Sequence, residues 1–135
     1  HRFDLGDGVL IKDNHIAVLS SLGRNLKDVV TKAKQESPSG LPVEVEVTTV
    51  EEAQAAIEAG ADIIMLDNMN LDDMSRAVSL MPSHVKTEAS GGITLANIRA
   101  VAQTGVDIIS VGALTHSPKA LDISLELKPQ MLKLL

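Results

Sequence analysis

Acidic side chains occur at or near the ends of three successive predicted strands in the 135-residue sequence: Glu46, Asp67 and Glu88. Carboxylates that converge at one end of parallel strands can bind Mg²⁺, directly or through water, or can stabilise a developing positive charge. Asp67 and Asn68 also have the composition of an ordinary turn, so this alternative stays open. The pattern predicts that Glu46 and Asp67 form a magnesium or cation-stabilising site.

Two glycine-rich turns follow the last two predicted strands. One contains Ser90, Gly91 and Gly92, and the other begins with Gly112 and Ala113. Glycine lets backbone N–H groups approach an anion closely, and the N-terminus of a following helix adds partial positive charge. Either turn alone could simply be a tight connection between a strand and a helix. Together, on consecutive strands, the two turns favour a phosphate-binding site.

A cationic group lies near the start of the chain and contains His1, Arg2 and Lys12. Lysine beside arginine can bind a dianionic substrate, because the guanidinium group binds a carboxylate with two parallel hydrogen bonds. Most single lysines and arginines are solvated surface charges, which is the alternative here. His15 and His116 each follow the end of a predicted strand.

Short apolar runs alternate with segments of helical periodicity along most of the sequence. Strands are predicted at residues 9–11, 43–47, 63–66, 85–89 and 108–111, and helices at 25–36, 50–59, 71–81 and 95–104. Thr49, Asn70 and Thr94 stand at predicted helix N-caps. Residues 56–64 resemble residues 101–109, so one helix–Gly–x–Asp–strand unit occurs twice. Such alternation predicts parallel strands and an α/β fold.

The strand at 43–47 alternates between apolar and acidic residues, with valines on one face and glutamates on the other. This pattern favours a partial TIM-like α/β barrel with a charged interior over edge strands with one solvated face. A complete barrel takes about 250 residues. We therefore expect residues 1–118 to form a partial barrel with its active-site face, the C-terminal half of a longer enzyme. Residues 119–128 have the period of a strand, and residues 129–135 form a tail.

Composition excludes several classes of protein. There is no cysteine, which rules out disulfides, a thiolate nucleophile and a cysteine-ligated zinc site. The net charge of −6 and a single aromatic residue argue against nucleic-acid binding. No apolar stretch reaches about 18 residues, and the first residues contain no signal-peptide core. We expect a soluble, cytoplasmic domain.

Several motifs together closely resemble the quinolinate phosphoribosyltransferase family, also called nicotinate-nucleotide pyrophosphorylase (carboxylating). The motifs are HRFDLGDGVLIKDNHI at residues 1–16, EVEV at 44–47, IMLDN at 64–68, EASGGI at 88–93, SVGALTHS at 110–117 and KALDISL at 119–125. The resemblance implies a decarboxylating transfer of phosphoribose from phosphoribosyl pyrophosphate to quinolinate. Nicotinate mononucleotide, pyrophosphate and CO₂ would be the products, in de novo NAD biosynthesis, with Mg²⁺ required.

The resemblance also implies a role for each matching residue. His1, Arg2 and Lys12 would bind the quinolinate carboxylates, and Lys12, Glu46 and Asp67 would be catalytic. Glu46 and Asp67 would also face the ribose and the metal. The remaining phosphoribosyl pyrophosphate ligands would be Ser90, Gly91, Gly92, Gly112, Ala113 and His116. The precise roles of His15, Glu44, Glu88 and His116 stay open.

Family members carry a further N-terminal α/β sandwich and earlier barrel strands. The resemblance implies that the strand at 119–128 returns to that domain, and that a homodimer or higher even oligomer shares its site between subunits. We therefore expect the isolated 135-residue chain to have little or no activity. Two alternatives stay open: a ModD-like paralogous phosphoribosyltransferase with another acceptor, and a non-catalytic barrel fragment.

Overall fold

The computed structural model of the chain describes residues 6–38, 40–115 and 123. The five strands and five α-helices run in the order β1 (Val9–Ile11), α1 (Asp13–Ser21), α2 (Leu26–Glu36), β2 (Val43–Val47), α3 (Val50–Ala59), β3 (Ile63–Asp67), α4 (Leu71–Leu80), β4 (Lys86–Ser90), α5 (Ile98–Gln103) and β5 (Ile108–Ile109). A 3₁₀ turn (Gly112–Leu114) follows β5. None of the described helices is long and apolar enough to cross a membrane.

All adjacent strands pair in parallel, and their order in the sheet is the order in the chain, β1-β2-β3-β4-β5. Parallel strands that are sequential neighbours and are joined by helices are the building plan of a TIM barrel. The predicted α/β class and partial TIM-like barrel are therefore confirmed. In a sheet of this kind, the carboxyl ends of all strands lie on one side, where barrel enzymes place their active sites.

The outer face of the sheet packs against the helices. Val45, Ile64 and Leu66 are completely buried and belong to one continuous core with the helix residues Ala53 and Ala77. Small alanine side chains on α3 and α4 let these helices approach the branched side chains of the strands closely. Burial of each such valine, isoleucine or leucine contributes roughly 1.5–3 kcal/mol.

The inner face carries polar and charged side chains, as the alternation predicts. In the register of the sheet, Glu46 lies beside Met65, and Met65 lies beside Glu88. Glu44, Glu46 and Glu88 are all buried, at 2%, 7% and 2% exposure. Charged groups are rarely buried without a compensating partner, so these carboxylates must be held by specific contacts.

Asp62 and Asp107, the aspartates of the repeated unit, each form a reciprocal clamp with the preceding strand. The Asp62 N–H donates to the Val43 carbonyl oxygen, and the Val43 N–H donates back to Asp62 Oδ2, both at 2.9 Å. Asp107 forms the same pair of bonds with Thr87, at 3.1 and 2.8 Å. Both aspartates thus hold neighbouring strands together at their amino ends.

The helices differ from the prediction in two places: one helix was not predicted, and one begins later than predicted. Residues 13–21 form helix α1, which the sequence analysis did not predict, because the helix has no Ser, Thr, Asn or Asp at its N-cap and buries none of its residues. Thr94 does not cap a helix starting at 95. The Asn97 side chain instead accepts a hydrogen bond from the Thr94 N–H at 2.8 Å, and α5 begins only at Ile98. The strand predicted at 119–128 lies outside the described residues, apart from Ile123.

Replacing Asp107 with alanine should lower the free energy of unfolding by about 1–2 kcal/mol, because two hydrogen bonds from Thr87 to a carboxylate are lost. The Thr87 N–H and hydroxyl hold the pKa of Asp107 below its ordinary value of 3.8. The stabilisation is therefore present above pH 4 and is lost as the pH falls through the lowered folded-state pKa. Urea unfolding between pH 2 and 7 measures this loss of stability.

Asp72→Ala, at an exposed position of α4, is the control and should change the free energy of unfolding by no more than about 0.5 kcal/mol at pH 7. Equal losses in both variants would contradict the clamp.

Candidate active site

Lys12 lies directly after β1, at the N-cap of α1, and its side chain reaches across to the neighbouring strand. Its Nζ lies 3.0 Å from Glu46 Oε2, in an ion pair whose lysine is half-exposed and whose glutamate is buried. The Lys12 backbone N–H donates to Nδ1 of His15 at 3.1 Å. This contact gives His15 a structural role, since it fixes the backbone from which Lys12 extends.

Carboxylates around Lys12 raise its pKa above the ordinary value of 10.5. The hydrogen bond to Glu46 contributes most and outweighs the opposing effect of burial, and the charges of Asp67 and Asp13 add to it. Lys12 is therefore fully protonated at neutral pH. The charge of Asp67 acts on Lys12 more weakly than that of Glu46, and these three residues together are called the ionic group.

The Asp67 strand end is connected directly to the first glycine turn. Asp67 and Ser90 are register partners in neighbouring strands, and the Asn68 N–H donates to the Ser90 carbonyl oxygen at 2.9 Å. The Asn68 side chain also donates to Asp67 Oδ2 at 2.9 Å. From the sequence, Asn68 is predicted only as a turn residue. Its position directly after the candidate acid Asp67 is the feature that could have indicated a role in the site.

The first glycine turn has a backbone conformation that favours glycine. Gly91 and Gly92 have φ values of +84° and +60°, in the left-handed region. A Cβ on Gly91 would also overlap the Asn68 side chain, with Nδ2 at 2.7 Å. Within the described part of the chain, the N–H groups of these two glycines donate to no protein acceptor, so they are available to an anion.

A cleft of ≈ 520 Å³ is lined by Ser90, directly before the first pair of glycines, and by Gly112 of the second turn, whereas Gly91 lines a separate cleft beside α4. Glu88 forms part of its lining, and the Ser110 hydroxyl donates to Glu88 Oε1 at 2.6 Å. The cleft therefore combines turn backbone with a buried carboxylate that can accept hydrogen bonds from hydroxyl groups. Ser110 was not predicted as a site residue, because only the pairing of β4 with the segment after β5 brings it to Glu88.

The structure therefore brings the predicted residues into two adjacent groups. One is the ionic group of Lys12, Glu46 and Asp67, and the other consists of the two glycine turns. Ala113 lies exposed in the 3₁₀ turn directly after Gly112. Three further predicted residues lie outside the described residues: His1, Arg2 and His116.

The donor set fits a magnesium ion held jointly with a substrate. Among the described residues, no three His, Asp or Glu side chains are grouped as a protein-only metal site would require. Mg²⁺ is commonly bound by one or two carboxylates together with substrate phosphates and water. Glu46 and Asp67 are the two carboxylates that would supply such a pair of oxygen ligands.

Comparisons with known proteins agree on one family. A family model described as "Quinolinate phosphoribosyl transferase, C-terminal domain" matches residues 1–126. The chain is 49% identical over 126 residues to a probable nicotinate-nucleotide pyrophosphorylase [carboxylating] of Bacillus subtilis, covering 93% of this chain and 42% of that protein. It is 42% identical over 130 residues to the rat nicotinate-nucleotide pyrophosphorylase [carboxylating], covering 94% of this chain and 42% of the rat protein.

A solved structure of the nicotinate-nucleotide pyrophosphorylase from Francisella tularensis superimposes with a TM-score of 0.76. It is 48% identical in sequence, and the match covers 85% of this chain and 39% of that one. The chain thus spans about two fifths of the length of the relatives it matches.

Replacing Gly91 with alanine should destabilise the protein more than the same change at Gly60. Both glycines have nearly equal φ values, +84° and +87°, so each substitution introduces a similar backbone strain of roughly 1–2 kcal/mol. Only at Gly91 does the new Cβ collide with a side chain, whereas no atom lies within 4 Å at Gly60. We expect an additional loss of about 1–3 kcal/mol at Gly91, measured by urea unfolding. Equal losses would show that Asn68 does not occupy this space.

Proposed function

The chain belongs to the quinolinate phosphoribosyltransferase family, whose C-terminal domain it matches, and we propose that it carries the catalytic face of a decarboxylating phosphoribosyltransferase. Phosphoribosyl pyrophosphate and quinolinate are the proposed substrates. Nicotinate mononucleotide, pyrophosphate and CO₂ are the proposed products, in NAD biosynthesis. The names of the relatives support this assignment, and the arrangement of charges in the candidate site is consistent with it.

The contact between Lys12 and Glu46 is the observation that carries the proposal. Lys12 would bind a carboxylate of quinolinate, and Glu46 would face C1 of the ribose. Because the two side chains lie 3.0 Å apart, the ring nitrogen of the acceptor and C1 would be brought into one small volume. Such proximity can lower a reaction barrier substantially without a covalent intermediate. Because a lysine ammonium group has three donors, Lys12 can bind a substrate carboxylate while it remains paired with Glu46.

The carboxylates would act electrostatically. As pyrophosphate leaves, positive charge develops on C1, and Glu46 and Asp67 would stabilise that charge. Glu46 is nearly excluded from water, which strengthens this effect. Loss of CO₂ from the alkylated ring would leave an electron pair on the ring carbon, where the adjacent positive nitrogen stabilises it, and a proton from water would then complete nicotinate mononucleotide. No protein nucleophile is required.

The two glycine turns would bind the 5-phosphate of the ribose. Gly91 and Gly92 would offer N–H groups, and Gly112 of the second turn lines the cleft together with Ser90, the residue before these glycines. Glu88, in the lining of that cleft, would repel a phosphate but can accept hydrogen bonds from ribose hydroxyls. We assign the phosphate to the turns and the sugar to the space next to Glu88.

Magnesium is proposed as the required metal ion, with Glu46 and Asp67 as its protein ligands, directly or through water. When bound, Mg²⁺ neutralises charge on the pyrophosphate leaving group. We further propose that the enzyme is a cytoplasmic homodimer or higher even oligomer whose site is shared between subunits.

Replacing Lys12 or Glu46 with alanine in the full-length protein should reduce kcat/KM by about 100-fold or more. We expect Lys12→Ala to act mainly by raising the KM for quinolinate, and Glu46→Ala mainly by lowering kcat. Release of CO₂ from carboxyl-labelled quinolinate, with phosphoribosyl pyrophosphate and Mg²⁺ present, measures both parameters.

The exposed ion pair between Lys32 and Glu36 on α2 supplies matched controls, because it has the same residue types at 3.7 Å. Lys32→Ala and Glu36→Ala should leave turnover unchanged. A wild-type protein that binds phosphoribosyl pyrophosphate but releases no CO₂ would overturn the assignment of quinolinate and indicate another acceptor.

Phosphoribosyl pyrophosphate with Mg²⁺ should raise the melting temperature of the isolated 135-residue chain, because a ligand that binds only the folded state stabilises it. At 100 times Kd the stabilisation is about 2.7 kcal/mol. Differential scanning fluorimetry measures it, with ribose at equal concentration as the control. Turnover of quinolinate is not expected from this chain alone. A melting temperature that does not respond at millimolar ligand would instead support a non-catalytic fragment.

A further inference from the structure

Asn68 has an unusual backbone conformation. It is the one non-glycine residue in the described part of the chain with positive φ, at +51°. Asparagine tolerates this left-handed region better than most residues, but the conformation still has an energetic cost and persists only where surrounding contacts hold it. Such residues cluster at functional sites, and Asn68 directly follows Asp67, a proposed ligand of ribose and metal.

The contacts of Asn68 extend in two directions. Its side-chain amide donates to Asp67 Oδ2 at 2.9 Å, which restricts rotation of that carboxylate. Its backbone N–H donates to the Ser90 carbonyl oxygen at 2.9 Å, at the start of the glycine turn. Its side chain also fills the space that a Cβ on Gly91 would need. One residue thus contacts both the acidic group and the proposed phosphate-binding turn.

We propose that Asn68 is a positioning residue that fixes the Asp67 carboxylate relative to the turn at residues 90–92. This inference rests on the proposed function, since it concerns how the same site binds phosphoribosyl pyrophosphate. The ligand spans both groups: its ribose and pyrophosphate face Asp67, and its 5-phosphate faces the turn. Freeing the carboxylate from the turn therefore weakens binding of this substrate. Quinolinate binding would depend on Lys12, whose ion pair is with Glu46, whereas the hydrogen bonds of Asn68 go to Asp67 and Ser90.

Two variants of the full-length protein separate the amide from the backbone. Asn68→Gly keeps the left-handed backbone accessible and removes the side chain. Asn68→Asp keeps the shape, removes the donor to Asp67 and adds negative charge. The matched control is Gln103→Glu, an amide-to-carboxylate change at the exposed end of α5.

Both Asn68 variants should raise the KM for phosphoribosyl pyrophosphate and the Mg²⁺ concentration for half-maximal rate by about tenfold. The KM for quinolinate should stay within twofold of the wild-type value. Calorimetric titration with phosphoribosyl pyrophosphate, at fixed Mg²⁺ and without quinolinate, should show a similar loss of affinity. Gln103→Glu should change none of these quantities.

A merely structural role would give a different result. It would lower the melting temperature and the active fraction. The KM for phosphoribosyl pyrophosphate, the Mg²⁺ concentration for half-maximal rate and the calorimetric affinity would keep their wild-type values, and this would overturn the proposal. Wild-type binding constants in Asn68→Gly would also overturn it, because that variant lacks the amide. If the wild-type protein binds phosphoribosyl pyrophosphate but does not turn over quinolinate, the proposed function fails, and the calorimetric comparison still decides the role of Asn68. A wild-type protein that does not bind phosphoribosyl pyrophosphate would overturn both.

Discussion

The position of every site residue depends on the register of the parallel strands, and aspartate clamps help to hold that register in two of the four strand pairs, β2–β3 and β4–β5. Asp62 ties the start of β3 to Val43, and Asp107 ties the start of β5 to Thr87. Side chains alternate between the faces of a sheet, so a shift of one residue would turn the glutamates outward and the valines inward. The clamps lie at the amino ends of the strands, opposite the site, and can therefore stabilise the sheet without occupying the space needed for a ligand.

Burying carboxylates on the inner face of the sheet costs free energy, because the charged groups lose their hydration. Glu46 has Lys12 as a partner, and Glu88 accepts a hydrogen bond from Ser110. A buried ion pair typically adds little net stability compared with well-packed apolar residues. Apolar side chains at these positions would therefore serve the fold at least as well. The carboxylates are best explained by what they can do to a ligand, which is the kind of local conflict that marks functional sites.

Features set by local sequence could be predicted, and contacts between strands could not. The alternating valines and glutamates of β2 predicted both the strand and its two faces, and Thr49 and Asn70 cap their helices as expected. The helix at 13–21 escaped prediction, since it begins at Lys12 and buries no residue. The contact of Asn68 with Gly91 depends on how two strand ends lie side by side, which one sequence does not reveal.

The order of the strands also gives an order of chemical groups across the site. Lys12 follows β1, Glu46 lies on β2, Asp67 ends β3, and the two glycine turns follow β4 and β5. Neighbouring strands are about 4.8 Å apart, so the sheet places these groups along an arc of roughly 19 Å. The acceptor ring, the ribose and the 5-phosphate are connected in that same order in the proposed product. Because strand order equals chain order, five consecutive strands are enough to place the groups proposed for all three binding functions side by side.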